Sequence, residues 1–492
     1  MDAGIWKARV RVKRESQNGD IMALLEQLKS IVGESHVLTA TDTAKYDHDW
    51  TGKYKATPIA VIRPGSTAEV AAAVKACAAS KTPIVPVSGN TSLAGGTYAK
   101  DAVMISVERL NDIRELRPDA RIAIVGAGTV LSQIHDAADA HDLVFPLTFG
   151  AKGQAMIGGA LSTNAGGSNV VRYGSTRGLC LGLEVVMPDG EIMNLMSELH
   201  KDNSGYDLKD LMIGAEGTLG LITAAVLKLF PKPRAYATAM VAVPTLPDAL
   251  TLLHSLQDTT GGAVEAFEYM DALYISDHLA MDPSARAPFE QRHEINIMVE
   301  VGVTAPAMAE LQDDGTIPVV TLLEDTLGQM MEDGRILDAT VAQNEAQRRE
   351  MWERREAAGE VMLLRKPMIN NDICVPVDKV DTFLTDMDAR LKTLDTNALH
   401  TSVSHLGDGN VHLLIYPSKD DPGHIDMLTE MVEDVTLELG GSFSAEHGIG
   451  LTKKPSMARR KDKVALAVMR SVKQALDPDN IMNPGKVLPS TN

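Results

Sequence analysis

The chain has 492 residues, 44% hydrophobic and 23% charged. This is the composition of a globular protein too long for one ordinary core, so two or three domains are expected. A net charge of −19 argues against nucleic acid or an anionic membrane as a general partner. Cys77, Cys180 and Cys374 are too few and too scattered for a disulfide framework or a Cys-x-x-Cys metal knuckle, and a reducing cytoplasm fits them best.

Residues 1–19 are basic but lack the apolar run of a signal peptide, and they read as a loosely ordered lead-in. No segment reaches the roughly 18 apolar residues of a membrane span. Ile21 to Ile31 carries apolar residues at helical spacing (Ile21, Leu24, Leu25, Leu28, Ile31) and predicts a short amphipathic helix. Pro58 to Pro64 reads as a strand, Ser66 to Ala79 as a helix with a Ser cap and Glu69 near its start, and Thr82 to Val87 as a β-branched strand.

That last strand runs into the loop Ser88-Gly-Asn-Thr-Ser-Leu-Ala-Gly-Gly96, inside an acid-free window from Val70 to Lys100. A second such window runs from Leu143 to Leu183, 41 residues in which the chain average would place about five or six acids. Its stretch Phe145 to Gly174 holds seven glycines, which permit positive φ and close approach of a ligand to the backbone. Two glycine loops stripped of carboxylates suggest a single anionic ligand held from two sides by backbone N–H groups, most simply the pyrophosphate of a nucleotide. Between them, Ile122 to Leu131 contains Gly126-x-Gly128, which looks like a dinucleotide turn. Leu131 stands at its third glycine position and the ribose-binding acid is missing, so a buried strand-turn-helix is the better account.

Pro86-x-Ser-Gly-Asn-Thr-Ser-x-x-Gly-Gly96, Gly158-Gly-Ala-Leu-Ser-Thr-Asn-Ala-Gly-Gly167 and Ala215-Glu-Gly-Thr-Leu-Gly-Leu-Ile-Thr223 together resemble the vanillyl-alcohol-oxidase-type flavoproteins, with PCMH-type FAD binding. Within them the chain is similar to the D-2-hydroxyacid dehydrogenases, from about Thr41 to Val487. The resemblance implies an α+β fold: a lead-in and helix over 1–40, a two-subdomain FAD-binding domain over 41–233, and a substrate domain over 234–492 whose last segment returns to the flavin. It implies FAD contacts from Pro86, Ser88, Gly89, Asn90, Thr91 and Ser92 in the first loop. In the second stretch it implies Pro146, Gly150, Gly153, Ile157, Gly158, Gly159, Thr163, Asn164, Gly167, Tyr173 and Gly174, followed by Glu216, Gly220, Ile222 and Asn483. The first loop has no histidine or cysteine, so FAD is expected to be non-covalent.

Lys228 to Arg234 reads as a linker. Beyond it, strands are expected at Ala237–Val243, Val264–Met270 and Glu294–Val301, with a helix at Leu246–Gln257. Ser276 to Arg292 reads as a surface excursion, Gln343 to Glu360 as a charged helix, and Ala458 to Leu476 as a basic helix. Trp352 precedes Arg355 by three residues on one helix face, and in the family this arginine forks onto the substrate carboxylate.

Ser404-His405-Leu-Gly-Asp-Gly-Asn410-Val-His412 is turn chemistry between apolar residues, so a hairpin is expected in which the two histidines converge. With Glu446 they make a three-ligand site with open positions, the layout of a catalytic Zn²⁺ or similar divalent ion. Without the resemblance, two core histidines and a surface Glu446-His447 pair account for the same residues. If Glu446 faces the metal, extended backbone would turn His447 elsewhere, and the family sets that histidine against flavin and substrate as general base. Asn370 and Asn410 complete the expected substrate contacts. The hydroxyglutarate-type members carry a lysine where Asn370 stands and a threonine near Gly359, so a five-carbon diacid loses weight and a smaller acid such as D-lactate gains it; Arg365 or Lys366 are the substitutes that a diacid would require. The alternatives are a partner-dependent flavin subunit of a glycolate-oxidase-like complex and a nicotinamide dehydrogenase on Gly126-x-Gly128. The electron acceptor (electron-transfer flavoprotein, quinone or O₂) is not legible, and a homodimer is one possible assembly.

Overall fold

A computed structural model describes residues 19–490; the lead-in expected over residues 1–19 lies outside them except for its last residue. The first helix, residues 19–32, seats Leu24, Leu28 and Val32 in the core of the N-terminal lobe. That lobe has two sheets. The first has four strands in the order Val37–Leu38, Ala60–Ile62, Val103–Ser106, Ile84–Val87, the last three parallel. The helix Thr67–Ala79 crosses over between them, opened by Ser66, whose Oγ accepts from Glu69 N at 3.2 Å, while the Glu69 carboxylate accepts from Gly65 N at 2.7 Å.

The second sheet has five antiparallel strands in the order Ile113–Arg117, Ile122–Gly126, Leu221–Lys228, Cys180–Val186, Ile192–Leu195. Ile122–Gly126 therefore lies between antiparallel neighbours and not in a parallel dinucleotide-binding unit. Its glycines answer to backbone crowding: a Cβ would sit 2.1 Å from Leu110 O at Gly126 and 2.0 Å from Val107 O at Gly128. The expected linker Lys228 to Arg234 is tied down as well, because Phe230–Pro231 pairs with Leu143–Val144.

The C-terminal lobe is built on seven antiparallel strands, in the order Asp338–Val341, Ala235–Ala242, Ile295–Val303, Val264–Asp271, Leu399–His405, Asn410–Tyr416, Ile369–Cys374. The period of two assigns its faces. Ala239, Val241, Phe267, Tyr269, Val299, Leu413 and Ile415 join one core with the helices Leu246–Thr260, Pro318–Glu332, Val380–Leu394 and Pro422–Glu438. The intervening positions, Glu268, Glu300, Asp372, His405 and His412, occupy the other face.

Three expectations need correction here. The segment expected as a surface excursion from Ser276 begins inside the helix Ala272–Met281, whose Tyr274, Ile275, Asp277 and His278 are buried. It packs on the polar-bearing face of the sheet with Met270, Met298 and Val403, and its apolar spacing was masked by the polar run that follows. The charged helix is two pieces, Glu345–Glu356 and Ala358–Val361. The basic helix is also two, Lys454–Arg460 and Lys463–Leu476, because Asp462 caps a new start by accepting from Ala465 N at 2.8 Å. After it the chain returns to the first lobe. Ile84 N donates to Ile481 O and Asn483 N to Ile84 O, each at 2.7 Å, and Ile481 and Met482 enter the first lobe's core.

Candidate active site

A cavity of about 710 Å³ lies where the two lobes meet. Both acid-free loops line it, and they touch: a Cβ at Gly89 would fall 2.3 Å from Gln154 O. Of the residues expected at the flavin, Pro86, Ser88, Gly89, Asn90, Thr91, Ser92, Gly150, Gly153, Gly158, Gly159, Thr163, Glu216, Gly220, Ile222 and Asn483 are in the wall. The others are elsewhere. Ile157 is fully buried in the lobe core, Pro146 is buried and Gly174 exposed, and Gly167 lies so close to Thr148 O that a Cβ would approach to 2.2 Å. Asn164 ends a helix in the left-handed region and accepts from Arg177 N at 2.9 Å. Tyr173 donates to Glu265 Oε1 at 2.8 Å, at the seam between the lobes.

The wall fits a nucleotide cofactor. Its loops carry backbone donors and no carboxylate, and Asn483 supplies a buried Oδ1 with no hydrogen-bond partner among the described residues. The Nδ2 of Asn483 donates to Gly96 O (3.1 Å) and Glu216 O (2.8 Å), which fixes that side chain. Glu216 in turn accepts from Ile449 N at 2.7 Å and Gly450 N at 2.8 Å. Burial raises its pKa against those donors.

On the opposite wall, strand register assembles the reactive groups. Glu268 is the cross-strand partner of His405, His412 of both Val403 and Asp372. His405 Nδ1 lies 2.9 Å from Glu268 Oε2, leaving Nε2 directed to Glu446 Oε1 at 4.0 Å. Nε2 of His412 and of His447 approach the same oxygen at 3.4 and 3.9 Å. The sequence reading turned His447 away from Glu446 on the premise of extended backbone. The segment is a series of bends, so the two side chains share a side.

Arg355 enters from the helix Glu345–Glu356. Its Nε donates to Glu268 Oε2 at 2.6 Å, and a terminal nitrogen lies 3.3 Å from His405 Nδ1. Glu300, on the adjacent strand, holds the same helix: it accepts from Trp352 Nε1 at 2.9 Å and from Arg348 through both oxygens at 2.7 Å.

Asp372 is the second buried carboxylate of the site. It accepts from the backbone N–H of Glu446 (3.1 Å) and His447 (2.9 Å), from Lys453 Nζ (3.0 Å) and from Asn410 Nδ2 (3.0 Å). Asn410 is thus a buried structural donor outside the cavity wall and not the expected substrate contact, whereas Asn370 does line the cavity. Asp372, His412, Glu446 and His447 each present a ligand atom within 4.8 Å of the others, a grouping that overlaps the expected His405, His412, Glu446 set. The four donors already on Asp372 favour its service as an outer partner of the imidazoles.

Electrostatics hold Glu268 and Asp372 ionised and His412 neutral, and favour the proton on His405. Burial opposes ionisation of Glu268, but His405 and Arg355 outweigh it and hold the carboxyl below its ordinary value. Burial likewise opposes ionisation of Asp372, where His447, Lys453 and His412 prevail and hold it well below. Burial, and then neighbouring His405, keep His412 neutral by holding its pKa well below the usual histidine value; on His405 burial pulls the same way but Glu268 raises it. A metal would compete for that proton. Sequence reading missed Glu268, Glu300 and Lys453 and gave Asp372 no role. The available signal was an isolated acid inside an apolar strand, as in Val264-Glu-Ala-Phe-Glu268-Tyr-Met270.

Residues 58–196 match the family described as FAD binding domain, and residues 232–487 that described as FAD linked oxidases, C-terminal domain. The chain is 33% identical over 452 residues to the D-2-hydroxyglutarate dehydrogenase of Xanthomonas citri pv. viticola, spanning 91% of this chain and 92% of that protein. It is 34% identical to the mitochondrial D-2-hydroxyglutarate dehydrogenase of Rattus norvegicus, spanning 90% of this chain and 80% of that protein. In fold it is similar to p-cresol methylhydroxylase with substrate bound, at a TM-score of 0.73 and 15% identity, covering 95% of this chain and 96% of that one. Among the described residues no helix is long and apolar enough to cross a membrane.

Proposed function

Since the chain belongs to the FAD-linked oxidases and is an FAD-dependent D-2-hydroxyacid dehydrogenase, we propose that it oxidises its hydroxy acid with His405, His412 and Glu446 holding a divalent ion, Arg355 holding the carboxylate and His447 acting as base. One observation carries this reading: three imidazole Nε2 atoms, of His405, His412 and His447, lie 4.0, 3.4 and 3.9 Å from the single oxygen Glu446 Oε1, beside the Arg355 guanidinium. Two imidazoles and a carboxylate are a donor set for Zn²⁺ or a similar ion with open positions.

When bound, non-covalent FAD supplies hydride acceptance at N5, and a divalent ion supplies Lewis acidity toward the 2-hydroxyl. The chain supplies geometry. Arg355, fixed through Nε by Glu268 and with one terminal nitrogen 3.3 Å from His405 Nδ1, would offer its remaining N–H groups to a carboxylate. His405 is oriented by the same Glu268, so the substrate anchor and one metal ligand share a support. His447 accepts the hydroxyl proton at Nε2. Its Nδ1 lies 3.6 Å from Asp372 Oδ2. The candidate substrates run from D-lactate to D-2-hydroxyglutarate, each giving the corresponding 2-oxo acid.

The test is the flavin spectrum of the purified protein under anaerobic conditions, before and after addition of D- and L-2-hydroxy acids, with and without chelator, for wild type and His447→Ala. Bleaching by a D-acid is expected, lost on metal removal and slowed about 10²- to 10⁴-fold in His447→Ala with FAD retained. Unchanged reduction after chelation would remove the metal from the reaction. A yellow protein bleached by no acid would favour the partner-dependent flavin subunit.

A further inference from the structure

We propose that the hydroxy acid carries an uncharged aliphatic side chain, so that this dehydrogenase takes monocarboxylic D-2-hydroxy acids and discriminates against diacids by charge. The inference rests on the preceding reading of Arg355 as the holder of the 1-carboxylate. Among the described residues Arg355 is the only lysine or arginine in the cavity wall. One guanidinium serves one carboxylate, and this one already shares its Nε with Glu268.

Leading away from the imidazoles, the wall becomes apolar or acidic. Leu414 follows His412 on the same face of its strand, with Asn370 as its cross-strand partner, and Val403 stands beside His412. The segment just after Arg355 adds Glu356, Glu360 and Met362 to the same wall. A second substrate carboxylate on Leu414 and Val403 would be desolvated against apolar side chains, in a wall that holds carboxylates and no second cation to meet it.

The basic residues nearest in sequence do not fill the gap. Lys152 is outside the wall and pairs with Glu356 at 3.2 Å. Arg365 is forked onto the buried Asp277, with one arm at 2.6 Å, and lies over the Tyr416 ring at 5.4 Å. Lys366 is exposed and outside the wall. Asn370, neutral and able both to donate and to accept, is compatible with a chain of either no polarity or one neutral polar group.

The experiment is anaerobic reduction of the FAD- and metal-loaded full chain by D-lactate, D-2-hydroxybutyrate, D-2-hydroxyisovalerate, D-malate and D-2-hydroxyglutarate, read as second-order rate constants. The best monoacid is expected to exceed both diacids by at least about 10²-fold. A diacid equal to or faster than every monoacid overturns the charge argument while leaving the oxidation itself intact. If no acid of either class reduces the flavin, the underlying reading fails and this inference with it. Asn370→Lys, checked by its retained flavin spectrum, adds a cation to the wall and is expected to narrow the monoacid-to-diacid ratio at least tenfold; an unchanged ratio in that variant would place the side chain away from Asn370 and overturn the proposed wall.

Discussion

At the scale of single residues, the most consequential side chain is one that no motif marks. Glu268 is fully buried and touches both Arg355 and His405, so it would join the proposed carboxylate holder to a proposed metal ligand. Glu268→Gln keeps the shape and removes the charge. Metal affinity of the variant, measured by titration of apoprotein, is expected to fall about 10- to 100-fold, with weaker binding of any 2-oxo acid through Arg355. Unaltered affinity on both counts would reduce Glu268 to a packing residue. The histidines, Glu446 and Arg355 were singled out through the resemblance, since without it core histidines, a surface Glu-His pair and a surface arginine account for the same residues. Glu268 and Asp372 were not, since a carboxylate inside a strand gains its meaning only from the neighbours that register supplies.

At the scale of elements, strands buried on both faces, such as Ala235–Ala242 from Ala237 onward, were readable as short apolar runs, but such runs do not show which face carries the site. The helix Ala272–Met281 was hidden by the polar run that follows it, although its buried face is fixed in place, Tyr274 Oη donating to Arg354 O at 2.7 Å. The outer helices pose a separate question of acid stability. Asp395 ends the helix Val380–Leu394 and accepts from Ser418 N at 2.9 Å and His424 Nε2 at 2.7 Å, tying it to the start of the helix Pro422–Glu438. Burial opposes its ionisation, but these hydrogen bonds hold its pKa below the ordinary value. A carboxyl depressed in the folded state binds its proton later than in the unfolded chain. Its contribution is therefore complete above the unfolded value near pH 4 and lost as pH falls below it. Asp395→Asn is expected to cost about 2 kcal/mol at neutral pH and to flatten the dependence of the urea midpoint between about pH 4 and 2. A variant with the same midpoint and the same acid limb would show the cap to be idle.

At the scale of the whole molecule, the two lobes are joined by buried polar ties. Glu265 accepts from Arg172 at 2.6 Å and from Tyr173, and Glu216 accepts from the Ile449 and Gly450 amides. The α+β, two-lobe plan was implied by the resemblance and by the change of pattern near Lys228, but the seams were not, because they pair residues 92 to 234 positions apart. Asn483 belongs to one such seam. Asn483→Ala removes its bonds to Gly96 O and Glu216 O and is expected to weaken FAD retention about tenfold, read as the flavin-to-protein absorbance ratio after dialysis; full retention would take Asn483 out of the cofactor wall.

The return of the tail has a temporal consequence. Ile481 and Met482 share one hydrophobic interior with Leu24 and Ile84, contacts of long sequence separation, so closure of the N-terminal lobe is expected to be slow beside the local helices and hairpins of the second lobe.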